Sequence, residues 1–268
     1  MKMSSTNLRS EIYKTIGFTY RNYIITKRNF FTLFETLFWP IIGLISVGLM
    51  GAYLNLDKNY LAFILIGAVT LSVLQVSQLD VAYVLLFDMW SKSLRYTFVT
   101  PISIFNMIFG AWFFGAFRGL VAFLILVVSG KFLFDLNLLI DPVGLFIFLL
   151  GIFLSAMIIG TLTCSLLLIF GYRAEVSAWT LTAIFMLLCG IYYPVTLLPP
   201  GLREMAYAIP LTHFLEFYRS FYGFSPSTNN PALIGYSLSF LFLILLFLTL
   251  MWASDRARKR GTVTQFSE

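Results

Sequence analysis

A chain of 268 residues with 59% hydrophobic and only 11% charged side chains, at a mean hydropathy of +0.88, carries too little polar surface to stay dissolved as a globular domain. Its apolar runs are long and continuous, which excludes the alternating segments of about ten residues that build a membrane barrel. The formal charge of +6 is placed so as to orient a membrane protein rather than to form one patch, so the lipid bilayer is the expected surrounding and no nucleic acid is an expected partner. Hydrocarbon supplies no partner for backbone N–H and C=O groups, and about 20 apolar residues cross it as a helix. The expected fold is an all-α polytopic membrane protein, one domain over residues 1–268 with six transmembrane helices.

In chain order, residues 5–31 place Leu8, Ile12, Ile16, Tyr20, Tyr23 and Ile24 at helical spacing, with Lys14, Arg21 and Arg28 on another face. That pattern predicts an N-terminal amphipathic helix lying in the membrane interface. The first span is expected at about 33–54, where Glu35 sits within reach of Lys27 or Arg28. Pro40 predicts a kink there, and Gly43, Gly48 and Gly51 open one side to close helix approach. The second and third spans, about 60–87 and 104–129, are joined by "FDMWSKSLRYTFVTPIS". This joint mixes charge with Trp90, Leu94, Tyr96 and Phe98 and predicts a short amphipathic helix over 88–100. Thr100-Pro101 ends it, because the residue before proline avoids the helical region. The fourth and fifth spans, about 142–171 and 176–194, are linked by the tight turn "GYRAE", and the sixth falls at about 232–253.

With six crossings both termini share one side of the bilayer. The other side would hold only Lys58, Lys131, Arg203 and Arg219, with Arg118 inside a span and every remaining lysine and arginine on the terminal side. The positive-inside rule then predicts a cytoplasmic (inner) membrane protein with both termini in the cytoplasm. No early apolar core with a small-residue cleavage site is evident in the first thirty residues. Cys164 and Cys189 fall inside spans, as small packing residues rather than a disulfide or metal pair.

The chain contains no GxxxxGK[ST] phosphate loop, a single histidine and no nucleophile–base arrangement. It is therefore not expected to be an enzyme or to hold a metal, and any ATP would have to be bound by another chain. Charges inside the spans are the next candidates, being costly there and often functional. Asp80 and Arg118 lie on antiparallel neighbours and differ in depth by about 10 Å at the helical rise. Gln75 and Gln78 are then the nearer partners or intermediaries for Arg118. Two roles stay open for that arginine: a fixture of helix packing, or part of a polar path or subunit contact.

Residues 192–219 fit neither a loop nor a span, since they are apolar yet carry Pro194, Pro199, Pro200 and Pro210 with Arg203, Glu204, Glu216 and Arg219. The fifth span is expected to stop after Pro194, followed by one short helix in "LREMAYA" and, beyond Pro210, another in "THFLEFYRSFYG". A helix of twelve residues is about 18 Å long and cannot cross a core of about 30 Å. Together the two pieces predict a re-entrant hairpin over 195–224, between the fifth and sixth spans. Glu216 and Arg219 are three apart and are expected to neutralise each other, while Arg203 and Glu204 are placed at the outer rim.

The order of these parts, over nearly the whole chain, resembles the permease subunits of type-2 ABC (ATP-binding cassette) transporters. The most specific stretch is "GIYYPVTLLPPGLREMAYAIPLTHFLEFYR", with Gly, aromatic and Pro, then Leu-Pro, a short amphipathic helix, a Pro-Leu turn and a terminal Arg. "VTPIS" at 99–103 is similar to the ending of the family's coupling helix. The resemblance implies an ATP-driven exporter in which two permeases form a homodimer and two ATP-binding subunits dock beneath it. ATP and Mg would be bound by those subunits and no cofactor by this chain. It implies coupling through 88–100, with Asp88, Trp90, Lys92, Leu94, Arg95, Thr100 and Pro101. It also implies an outer gate at Pro194, Pro199, Pro200, Arg203, Glu204, Pro210, His213, Glu216 and Arg219, where His213 either touches cargo or is simply packed.

Polysaccharide exporters of this family carry an Arg-Tyr run followed by Leu-Gly and Trp before their first span, whereas this chain reads "YRNYIITKRNFFTLFETLFWP". The implied cargo is a small amphiphile, a drug-like compound or a lipid-linked molecule, with a polysaccharide or glycolipid as the alternative. An ion-coupled secondary transporter and a non-transporting scaffold are the other classes. The lack of an internal repeat weighs against the former.

Overall fold

The computed structural model describes residues 8–260, and every regular element among them is helical. Helix α1 (Leu8–Arg28) is separated from α2 (Phe30–Tyr53) by Asn29 alone. Helix α3 (Lys58–Trp90) leads through three residues into the short α4 (Leu94–Val99). Helix α5 (Ile104–Phe134) opens on Ser103, whose hydroxyl accepts from the Asn106 N–H at 3.2 Å, and closes on Asp135 in the left-handed conformation. Helix α6 (Pro142–Phe170) starts on a proline, with the Asp141 carboxylate accepting from the Gly144 N–H at 2.8 Å. Then follow α7 (Ser177–Leu188), α8 (Pro200–Tyr207), α9 (Pro210–Ser220) and α10 (Pro231–Arg260), the last three each beginning at a proline.

Five of these helices, α2, α3, α5, α6 and α10, are long and apolar enough to cross a membrane, and the chain is a multi-pass membrane protein. The expected fifth crossing at 176–194 is corrected by the structure. Its helix, α7, has 12 residues, a length of about 18 Å, and does not cross on its own. The cause is Gly190, whose φ of +66° turns the chain out of the helix well before Pro194 is reached. At Pro40, by contrast, α2 runs on unbroken. Residues 5–7 of the expected interfacial helix and the side chains of Glu35, Arg95 and Phe98 lie outside the described residues.

Helix α3 is the axis of the bundle, packing against α2, α5 and α6. Two apolar cores stack along it. One joins Leu65, Phe148, Phe214 and Tyr218; the other joins Phe18, Leu85, Ile108, Met157 and Ala253. The second contains both Phe18 of α1 and Ala257 of α10, so α1 and the last turns of α10 lie at the same end, called here the α1 end. Lipid is as apolar as leucine, so close backbone approach rather than exclusion of water holds such helices together. Gly115 illustrates this: a Cβ there would stand 2.7 Å from the Ser77 carbonyl oxygen, and Ser77 Oγ donates to the Gly115 carbonyl at 3.1 Å. The glycines of α2 serve neighbours within the chain, Gly48 facing the Phe134 ring and Gly51 facing Leu61.

Candidate functional site

The joint between α3 and α5 is organised by Asp88. The predicted helix over 88–100 is divided: Asp88 and Trp90 close α3, Lys92 turns the chain at φ +55°, and only Leu94–Val99 form α4. The Asp88 side chain is 0% exposed and accepts from Thr97 Oγ1 at 2.7 Å and from Ser93 Oγ at 3.1 Å. It also forms an ion pair with Arg21 of α1. A buried carboxylate with three donors draws α1, the end of α3 and α4 into one unit. Leu94 is buried beneath that unit, so it and Asp88 brace the joint from inside. Trp90, Lys92, Thr100 and Pro101 are exposed, as are Tyr96 and Val99, which sequence reasoning did not single out as site residues. Arg21 was missed as well, because spacing along the chain does not connect helices 67 residues apart, and so was Thr97, nine residues from Asp88, because the turn at Lys92 that folds α4 back onto the end of α3 is not visible in the spacing.

Neighbouring elements lean on the same joint. Trp90 Nε1 donates to Glu175 Oε1 at 3.1 Å, linking the end of α3 to the turn after α6, and Trp90 packs with the rings of Phe87 and Tyr83. At the start of α1, Glu11 accepts from Lys14 Nζ at 2.6 Å and from Asn106 Nδ2 of α5 at 2.8 Å. These two bonds, Lys14 first, hold the Glu11 carboxyl below its ordinary value of 4.5. Thr19 Oγ1 adds a bond to the Gly110 carbonyl at 3.0 Å, so α1 is bolted to α5 as well as to α3.

Midway along the bundle, Arg118 of α5 pairs directly with Asp80 of α3 and donates to Thr36 Oγ1 of α2. This corrects the expectation that depth separates the two charges. Side chains on a helix lean toward its N-terminus. Helices α3 and α5 are antiparallel, so Asp80 and Arg118 lean toward each other and the guanidinium closes the remaining gap. Gln78 is not an intermediary: its Nε2 donates to the Ala178 carbonyl of α7 at 2.9 Å. Gln75 and Arg118 both line a cavity of about 480 Å³ between α2, α3, α5 and α7, together with Trp39, Ser72, Trp179 and Tyr192.

At the opposite end the two short helices sit as the prolines predict, and their charges are paired differently. Arg219 is buried, and Glu216 is not its ion-pair partner. Instead Arg219 donates to the carbonyls of Gly190 and Ile191 at 2.6 Å each and of Phe63 at 3.0 Å, with its guanidinium 3.5 Å from the Phe63 ring centroid. Glu216 accepts from Ser227 Oγ at 2.8 Å and from its N–H at 3.2 Å. The reason is the turn at Gly190: carbonyls released where α7 stops need donors, and a planar guanidinium supplies several at once. Gly67 on α3 lets this segment lie against the helix, since a Cβ there would meet the Ile191 carbonyl oxygen.

His213 is buried, its Nε2 donating to the Tyr207 carbonyl at 2.8 Å, and Thr212 Oγ1 donates to the Ala206 carbonyl at 2.7 Å. Both bonds tie α9 back to α8. Arg203 Nη2 donates to the Thr196 and Leu198 carbonyls at 2.8 and 3.1 Å, and Glu204 is exposed beside it. Pro194 and Pro199 hold extended backbone on either side of the turn Val195–Leu197, and Pro200 and Pro210 start the two helices.

A bundle of membrane-crossing helices with a braced joint at one end and a half-length hairpin at the other defines a polytopic α-helical membrane protein. The model of the ABC-2 type transporter family matches residues 15–223, from within α1 to just beyond α9, and the chain belongs to that family. Membership makes it a membrane component of a transporter, a permease, and implies association with an ATP-binding subunit. The chain is also similar to an uncharacterized protein of Archaeoglobus fulgidus, 47% identical over 62 residues that make up 23% of this chain and 97% of that protein.

Proposed function

We propose that this chain is the permease of an ATP-driven exporter, working as a homodimer above two ATP-binding subunits. The observation that carries the reading is the Asp88 unit. Three elements braced on one buried carboxylate can transmit a push as a rigid body, and Trp90, Tyr96 and Val99 offer an exposed surface to push against. Lys14, Lys27, Lys92 and Arg173 lie around the same end, which supports a cytoplasmic α1 end in the inner membrane. The cavity beside Arg118 is the cargo path, and its aromatic and polar wall supports a small amphiphile, drug-like compound or lipid-linked molecule as cargo. Helices α8 and α9 form the outer lid. Binding and release of ATP on the partner subunits drive the cycle by favouring one arrangement of the bundle over the other.

Co-purification with the ATP-binding subunit tests the coupling surface. Trp90→Ala combined with Tyr96→Ala is expected to abolish assembly or ATP-stimulated transport while the permease itself remains folded. Unchanged assembly and unchanged transport in the double variant would refute it. For the lid, Glu204→Cys cross-linked between the two copies is expected to block export while the ATP-binding subunit stays bound; undiminished export would count against α8 as part of the lid.

A further inference from the structure

A second, smaller cavity of about 200 Å³ lies at the end opposite α1, between the turn that follows α7, helix α9 and the stretch 224–227. Pockets for drug-sized molecules measure about 300–1,000 Å³, so an occupant here is small. Its wall holds two opposite charges, Glu216 and Arg219, which stand too far apart to form an ion pair. The terminal nitrogens of Arg219 are taken up by backbone carbonyls, which carry no net charge. Its Nε–H has no acceptor among the described residues. Arg219 is 4% exposed, and a buried donor is costly until something supplies an acceptor. Glu216 accepts from the Ser227 hydroxyl on one oxygen and the Ser227 N–H on the other, and a carboxylate has capacity for further donors. A small anion drawn to Arg219 would meet the Glu216 carboxylate in the same wall, and a small cation drawn to Glu216 would meet the guanidinium. A molecule carrying both charges answers both, its anionic oxygens accepting from Arg219 and its ammonium donating to Glu216. Phe63 and Phe224, edge to face at 5.0 Å, give its apolar part a surface to lie against.

We infer that this cavity is a binding site for a small zwitterion, with Arg219 and Glu216 as the two residues that hold it. The chemistry required is an ammonium a few bonds from an anionic oxygen group. Free amino acids carry it, and so does the headgroup of phosphatidylethanolamine. The site is separate from the cavity beside Arg118 and does not depend on which cargo passes there.

The test is equilibrium dialysis of tritiated probes against the full chain in phosphatidylglycerol nanodiscs, with binding to empty discs subtracted. Three probes share one body: leucine, 4-methylpentanoate, which lacks the ammonium, and 3-methylbutylamine, which lacks the carboxylate. Leucine is expected to bind at least tenfold tighter than either singly charged probe. Glu216→Gln is expected to raise the affinity for 4-methylpentanoate at least tenfold relative to leucine. Asp135→Asn removes an exposed carboxylate outside the cavity and is expected to leave the order of the probes unchanged. Discs of phosphatidylethanolamine separate the two sources. Leucine binding as tight as before assigns the site to a free zwitterion, a loss of at least tenfold assigns it to the lipid headgroup, and either result supports the shared chemistry. A singly charged probe that binds the wild type as tightly as leucine, or no leucine binding above empty phosphatidylglycerol discs, overturns the proposal. So does an unchanged order in E216Q, or the same change of order in D135N. The wild-type order needs no variant, so it decides even where E216Q fails to fold. The assay needs no ATP-binding subunit, so a failure of ATP-driven export would overturn the exporter reading and leave this site standing.

Discussion

Single side chains do most of the joining in this molecule, and Asp88 is the clearest case. Its burial is tolerable only because Arg21, Ser93 and Thr97 all donate to it. Asp88→Asn keeps the shape but loses the charge, and is expected to lower stability by about 2–3 kcal/mol. Hydrogen exchange should rise in α4 and α1 before it rises in α6; a uniform rise would contradict the bracing role. Arg219 makes the same argument at the other end. Arg219→Met leaves the carbonyls of Phe63, Gly190 and Ile191 without their donor, an expected loss of about 3 kcal/mol or more, with Arg219→Lys between it and the wild type. Equal thermal stability of R219M and wild type in nanodiscs would contradict this.

Glu11 supplies a pH dependence at the α1 end. Its folded pKa lies below 4.5, so its bonds to Lys14 and Asn106 contribute fully above pH 4.5. They are lost as pH falls through the lower folded value. Protection of α1 amides, taken relative to the intrinsic exchange rate at each pH, is expected to fall on acidification below pH 4.5, and Glu11→Gln is expected to remove that step. The step persisting in E11Q would assign it to another group. Residue partners were the least legible part of the sequence. Counting rise along two helices placed Asp80 and Arg118 too far apart because it left out the lean of each side chain, and i,i+3 spacing paired Glu216 with Arg219 because it left out the carbonyls exposed by the turn at Gly190.

At the scale of elements, much was legible. The long apolar runs gave α2, α3, α5, α6 and α10, and the prolines at 200 and 210 marked where α8 and α9 begin. The length of α7 was not legible, since residues 176–194 are as apolar as a full span and a lone Gly190 does not by itself announce a left-handed turn. The close seam between α3 and α5 depends on Gly115. Gly115→Val is expected to force the helices apart and destabilise the bundle by about 1–3 kcal/mol. Because the Arg118–Asp80 pair lies on that seam, a cysteine pair across it should cross-link less readily in the variant; undiminished cross-linking would show that the seam absorbs the added side chain.

The whole molecule joins a braced joint at the α1 end, a cavity midway and a pair of short helices at the other end. The class of protein was legible from composition alone and the family from the proline-rich segment, whereas the ties that join the three parts emerge only in three dimensions. The most direct measurement is transport in vesicles holding the permease with its ATP-binding subunit. Cargo is expected to move only when ATP is supplied on the α1 side, and to stop moving when Trp90 and Tyr96 are both replaced by alanine. Cargo moving down an ion gradient through the permease alone would contradict it.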